Sequence, residues 1–439
     1  MTDLDSSARA LDSSARALDS PARDLDSRSR ARDLDATDPL RSFRDQVLRA
    51  DPELVYLDGN SLGMMPLAAA DRLRRMVNEQ WGGELVRGWQ HWDSLPVDVG
   101  DRIGGLVGAA PGQVVATDTI SVNLFKLACA AFDARPGRTV LLTEAGNFPS
   151  DRYVLDGAAR LLGGELRLVS ADPVSGIAPE DLAPHLTDDV ALVALSHVDY
   201  RGGAVADLAA ITDTVHRAGA LVLWDLAHSA GSVPIGLDDV GADFAVGCTY
   251  KYLNAGPGSP AYLYVRRDLQ EQLRNPIQGW WGHEDMFDMD APYRPAPGVA
   301  RFQTGTPSIP GLVAADEGVR MLAEAGIERL RAKSMALTSF LVELADEWLV
   351  PLGFTLASPR EAASRGGHVV LAHDDAYRIG EAIVLAKVIG DVRPPNLLRL
   401  APAPLTTSFG EVWEGLRRIR DVVAEGRHLD LPRARSRVT

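Results

Sequence analysis

The chain is poor in sulfur, in basic charge and in long apolar runs. Its two cysteines, Cys129 and Cys248, among 439 residues cannot form a disulfide framework, so a reducing, cytoplasmic compartment is expected. Acidic residues (60) outnumber basic ones (45), leaving a net charge of −15. That balance excludes the basic stripe of a nucleic-acid surface. No apolar stretch approaches the roughly 18 residues that a membrane span requires. The opening MTDLDSSARA carries acidic residues and no apolar core, unlike a secretory signal. Several chemistries are also missing. No His/Cys spacing suits a zinc site. No G-x-G-x-x-G or G-x-x-x-x-G-K-[ST] phosphate loop occurs, and no G-x-S-x-G nucleophile elbow.

What is present is the composition of a soluble enzyme. With 46% apolar and 24% charged residues, the chain can bury a large core and form two domains. Its start is a heptapeptide repeat: LDSSARA at Leu4 and Leu11, LDSPARD at Leu18, LDSRSRA at Leu25. Each unit offers one leucine, with alanines where a coiled coil needs a second large apolar residue. Residues 1–37 therefore read as a disordered, low-complexity tail, with an interaction arm as the sharper alternative.

Globular patterning begins at Asp38. Short apolar runs at Val114–Thr117, Thr139–Thr143, Ala191–Ser196, Ala220–Asp225, Ala242–Cys248 and Ala261–Val265 predict strands. VNLFKLACAAF and Asp207–Ala218 predict helices, the latter closing on Gly219. Strand, helix and strand joined by short links make βαβ units, hence a mostly parallel sheet flanked by helices. Ser408 and Glu411 form a capping box. Phe409, Val412, Leu416, Ile419 and Val422 follow at helical spacing, which predicts an amphipathic helix in a smaller α+β C-terminal domain. The loop-rich Gly298–Pro310 stretch places the boundary near Pro310, dividing the globular part into 38–310 and 311–439.

Ligands of open α/β sheets gather at the carboxyl ends of strands, and two groups there suit pyridoxal phosphate. That cofactor needs a carboxylate at its ring nitrogen and a lysine at its aldehyde. Asp225 ends the run ALVLW, where it can serve the ring or simply cap a helix or form a salt bridge. Lys251 follows an apolar strand in CTYKYLNAGPGS, where it can anchor the cofactor or snorkel to solvent. Tyr250 can donate a proton or fill a strand edge. Ile120 and Ser121 open a helix whose N–H groups can cradle phosphate, though a plain N-cap fits as well. Phe148 can stack on a ring or staple a helix. His228 can reach a ring substituent or be structural. Each signal is weak alone, but together they describe one ligand.

Six motifs carry a resemblance over about Leu54 to Val423. They are YLDGNSLG at Tyr56–Gly63, NFPSD at Asn147–Asp151, WDLAHSAG at Trp224–Gly231, GCTYKYLNAGPGS at Gly247–Ser259, GWWGH at Gly279–His283 and RLAPAPL at Arg399–Leu405. In these the chain resembles the kynureninases, pyridoxal-phosphate enzymes of fold type I within the class V aminotransferase group. The resemblance implies that Lys251 binds the cofactor covalently, Asp225 pairs with its ring nitrogen and His228 lies beside its substituents. Phe148 would stack on the ring with Asp151 nearby. Ile120, Ser121, Ser196 and Tyr250 would complete the pocket. Trp280 and Thr306 would reach in from the second subunit of a homodimer, and Arg399 would grip the substrate α-carboxylate, a task its fork suits.

The implied reaction is hydrolytic Cβ–Cγ cleavage of L-kynurenine to anthranilate and L-alanine, with Tyr250 as a candidate proton carrier. Animal-type enzymes carry asparagine at the position of Thr306 and favour 3-hydroxykynurenine, so threonine favours kynurenine. Trp89, His91 or Trp92 would contribute to the aryl pocket. Two rivals remain. A cysteine desulfurase needs a thiol on a mobile loop, whereas Cys129 falls in a predicted helix and Cys248 in a predicted strand. An inactive pyridoxal-phosphate-binding scaffold would lack some of Lys251, Asp225 and Arg399, and all three are present.

Overall fold

Seven strands form the central sheet in a computed structural model that describes residues 21–288 and 292–432. In spatial order they are Val114–Ala116, Ala261–Val265, Phe244–Cys248, Leu221–Asp225, Val190–Ser196, Val140–Glu144 and Glu165–Val169. Only Ala261–Val265 runs against its neighbours; the other pairings are parallel. The inner strands are near-continuous apolar runs because helices cover both faces of the sheet. Val190–Leu195, for example, is buried at every position. The predicted strands are all present, with ends shifted by at most two residues. The predicted helices span Ile120–Asp133 and Leu208–Arg217, the latter capped by the Asp207 side chain.

Parallel strands put their carboxyl ends on one edge, and this brings the chemistry together. Ser196 and Asp225 are register partners at adjacent strand ends. Cys248 ends the next strand, two residues before Tyr250.

A second core belongs to the small domain. Its four-stranded antiparallel sheet includes Val369–Ala372 and Leu397–Leu400, covered by helices Ile327–Trp348, Ala376–Leu385 and Phe409–Ala424. The capping box forms as predicted: the Glu411 N–H donates to Ser408 Oγ, and the Ser408 N–H donates to Glu411 Oε2 at 2.8 Å.

Two features bear on the expected organisation. Helix Ile309–Ala325, on the small-domain side of the boundary expected near Pro310, buries Leu312, Val313, Val319 and Leu322 in the large-domain core. The repeat tail is also not disordered to residue 37. Pro21–Thr37 is a helix docked on the small domain. Its Ala31 is buried and its Leu34 packs on that core. Asp24 pairs with Arg420 at 3.0 Å, and Ser27 accepts from Trp413 Nε1 at 3.0 Å. Asp35 accepts the N–H groups of Phe409 and Gly410. Asp24, Ser27, Ala31 and Asp35 recur at three- and four-residue spacing, so small and acidic residues share one helix face. That face suits a surface presenting Trp413 and free N–H donors. The first repeat units, residues 1–20, lie outside the described residues.

Candidate active site

One cavity of about 730 Å³ opens at the carboxyl edge of the sheet, where the two domains meet. Eleven of the residues singled out in the sequence line it: Ile120, Ser121, Phe148, Asp151, Ser196, Asp225, His228, Tyr250, Lys251, Thr306 and Arg399. Local sequence explains their placement. Thr119 caps helix Ile120–Asp133 by accepting from the Val122 N–H, so the cap is Thr119 rather than Ser121, and the Ser121 hydroxyl stays available to the cavity. Asn147 ties two strand ends together, accepting from Ser196 Oγ at 2.9 Å and donating to Thr143 Oγ1 at 3.0 Å. The same side chain accepts the Phe148 N–H at 2.7 Å. Phe148 stands edge-on to Tyr200, 5.1 Å between ring centres, and its 37% exposure leaves it free to cover a ligand.

The floor holds charges that do not satisfy one another. Asp151 and Asp225 are both buried and lie against each other. Burial, reinforced by Asp225, holds the Asp151 carboxyl well above the usual range. Burial also raises Asp225, opposed chiefly by the Lys251 charge. One Asp225 oxygen accepts the Ala227 N–H at 2.8 Å. Two carboxylates sharing a dry site cannot both ionise unless a cation joins them. Lys251 Nζ lies 3.0 Å from His228 Nε2, and burial followed by the Lys251 charge pushes His228 well below its ordinary pKa. A neutral ring accepts a lysine proton at that nitrogen.

YLDGNSLG, read at first only as a family motif, acts as a clamp. The Gly63 N–H donates to the Tyr250 carbonyl at 2.8 Å. A Cβ at Gly63 would stand 2.3 Å from the Lys251 carbonyl oxygen, so only glycine lets this loop seat against the lysine. Asn60 and Ser61 of the same motif face the cavity.

The roof is Arg399. It is almost fully buried, with Asp391 accepting from its Nε at 2.8 Å and its Nη2 at 2.5 Å. Its Nη1 donates to the Tyr200 carbonyl at 2.7 Å. Asp391 thus holds one edge of the guanidinium; Tyr200 and Ser61, which accepts from Nη2 at 3.2 Å, engage the rest, and Arg399 lines the cavity beside Ser61 and Arg393.

Other predicted residues lie elsewhere. Trp280 does not line the cavity and is 41% exposed, edge-on to Trp281 and Phe287. Trp89 packs on Trp92 and Trp281. His91 pairs with Glu84 at 2.9 Å and borders a separate small pocket with Trp92. None of Trp89, His91 and Trp92 lines this chain's own cavity; the 76–92 segment connects helices Leu67–Arg75 and Leu95–Val107. Thr306, expected to serve a partner's site, lines its own chain's cavity. Sequence reasoning passed over Asp118, Tyr200 and Arg393, which also line it. Asp118 carried a usable signal: it precedes the helix cap, and buried Lys126 at 2.8 Å holds it. Cys248 reaches the cavity wall too, but burial raises its thiol, and it raises Cys129 to about 11. Both stay protonated and weakly nucleophilic.

The residues fit pyridoxal phosphate. The Asp151–Asp225 pair needs a cation where a protonated ring nitrogen would lie, Lys251 Nζ faces the same space, and an open helix N-terminus stands at the rim. Comparison with known proteins agrees. Residues 103–374 match the class V aminotransferase family, and 330–419 match the kynureninase C-terminal domain. Kynureninase from Pseudomonas fluorescens is 42% identical over 399 residues, covering 89% of this chain and 94% of its own length. Kynureninase from Burkholderia pseudomallei (strain 1106a) is 42% identical over 402 residues, covering 90% and 95%. Among solved structures, the cysteine desulfurase of Thermococcus onnurineus NA1 superposes with a TM-score of 0.74 at 20% identity, covering 90% of this chain and 98% of that one. A cystine C-S lyase bound to cysteine persulfide gives 0.75 at 21%, covering 84% and 98%. At such identity these two share the fold alone. With that fold, the cavity and relatives alike over nine-tenths of its length, the chain belongs to the kynureninase family of the class V aminotransferase group.

Proposed function

We propose that the protein is a pyridoxal-phosphate-dependent kynureninase, hydrolysing the Cβ–Cγ bond of L-kynurenine to give anthranilate and L-alanine. The observation that carries this reading is one cavity with a lysine and a carboxylate pair on its floor and an oriented arginine in its roof. When bound, the cofactor supplies an electron sink for the bonds at the substrate α-carbon. The chain's own residues do the rest. Lys251 holds the cofactor and then moves the α-proton. Asp225 keeps the ring nitrogen charged, with Asp151 beside it. Phe148 covers the ring, and the Ile120–Ser121 helix end receives the phosphate.

Arg399 binds the substrate α-carboxylate through donors that Asp391 leaves free. Tyr250 carries a proton for the later steps. Burial raises its phenol, so it stays protonated and able to donate. Threonine at 306 favours kynurenine over its 3-hydroxy form. A homodimer is the proposed state, with Trp280 at the subunit contact and Thr306 beside the shared site. The cytoplasm is the proposed compartment; no described helix is long and apolar enough to cross a membrane. The test is direct: purified holoenzyme mixed with L-kynurenine should release fluorescent anthranilate and one equivalent of alanine. Absence of both, with cofactor bound, would refute the activity. Sulfide release from cysteine would favour desulfurase chemistry instead.

A further inference from the structure

His368 has no part in the reading above, yet it is fully buried and neither of its ring nitrogens has a partner among the described residues. It enters the large domain from the start of strand Val369–Ala372. The Gly366 N–H donates to the Gly203 carbonyl at 2.8 Å, and a Cβ at Gly203 would stand 3.1 Å from His368 Nε2. The His368 ring thereby lies 5.6 Å, centre to centre, from the ring of His228. His228 Nδ1 is also buried without a partner, as is the nearby Tyr252 hydroxyl, close to Gly367.

His228 Nε2 faces Lys251 Nζ, a group that only donates while charged. That nitrogen must then accept, which puts the ring proton on Nδ1, and a buried N–H requires an acceptor. His368 is the imidazole placed to provide one. Lys251, Arg399 and Arg393 all act on both rings, and with burial they keep both neutral. Buried polar atoms too far apart for direct bonds are commonly bridged by an ordered water.

We propose that His368 is a positioning residue: through one ordered water it accepts the Nδ1–H of His228, holding the tautomer whose Nε2 receives the Lys251 amine whenever that amine is free of the cofactor. Val370 pairs with Arg399 in the same small-domain sheet. The residue that grips the substrate and the one that orients His228 therefore move as one body. This inference rests on Lys251 being the cofactor anchor.

The test compares His368→Phe, which removes the acceptor, with His368→Gln, which restores one. Loss of the bound-cofactor absorbance band in Lys251→Ala confirms the anchor independently; its persistence would break the anchor reading on which this inference rests, whereas failure of the His368 comparison alone would leave the anchor intact. In His368→Phe holoenzyme the pH midpoint of that band should shift by about half a unit or more. Its kcat should fall about tenfold with KM changed less than about twofold, the signature of a displaced catalytic group. His368→Gln should recover most of both. An unshifted midpoint, or Gln behaving like Phe, would overturn the proposal. If the Phe variant does not fold, His368→Met makes the same comparison.

Discussion

Two buried ionic sites face each other across the cavity, and they are built in opposite ways. In the roof, Arg399 and Asp391 form a complete pair: opposite charges, two parallel hydrogen bonds, and the spare acceptor capacity of Asp391 taken by Arg393 at 2.5 Å. On the floor, Asp151 and Asp225 are like charges pressed together, beside a lysine whose hydrogen bond goes to a neutral imidazole. The roof is finished by folding, whereas the floor is finished only by a ligand. A guanidinium fixed by Asp391 can meet a carboxylate by exchanging only its Ser61 and Tyr200 partners. A carboxylate pair of this kind favours a bound cation that relieves it.

That contrast can be broken at several points. Lys251→Ala should abolish the covalent cofactor band and lower kcat by roughly 10³-fold or more, seen by absorbance and anthranilate release, while thermal stability without cofactor hardly changes. Asp391→Ala should do the reverse. It strands a buried guanidinium, costing about 3–5 kcal/mol in denaturant unfolding, and raises KM more than it lowers kcat. If Asp391→Ala left stability intact, the roof would not be the preformed site described.

Tyr250→Phe should slow turnover by about 10²-fold with cofactor affinity within a few-fold; loss of cofactor alone would remove Tyr250 from the chemistry. Asp225→Asn tests the floor through pH. A carboxyl raised on folding favours the protonated native state, so its contribution is complete below the unfolded pKa near 4 and lost as pH rises through the folded value. Cofactor-free wild type should therefore lose stability above about pH 4, and Asp225→Asn should flatten that slope in calorimetry. A slope equally steep in the variant would mean that the pair carries no strain. The smallest effect belongs to a surface away from both sites: Asp35→Ala should cost about 1 kcal/mol, as for a lost helix cap, measured by the shift in unfolding midpoint.

Much of the site was legible because pyridoxal phosphate makes demands that one sequence can show. A carboxylate and a lysine had to lie at the ends of neighbouring apolar strands; Asp225 closes one, and Lys251 follows the end of the next by three residues. Parallel β-strands bury both faces, so their runs stood out, and strand ends marked the edge where Phe148, Ser196 and Tyr250 converge. Trp89 and His91 lie outside this chain's own cavity, and aromatic residues next to a histidine look alike in a ligand pocket and in a packed Trp89–Trp92–Trp281 cluster. The tail misled because low complexity is read from composition, whereas its docking depends on a partner face almost 400 residues away.

Fold class, cofactor chemistry and family follow from the sequence, since periodicity and motif are local and each motif carries its residues along the chain. Which charges meet depends on how the chain packs in three dimensions. Asp151 with Asp225, Asp391 with Arg399, and His228 with His368 come from separate elements, and whether a buried group is satisfied or left waiting depends on distances that no stretch of sequence encodes.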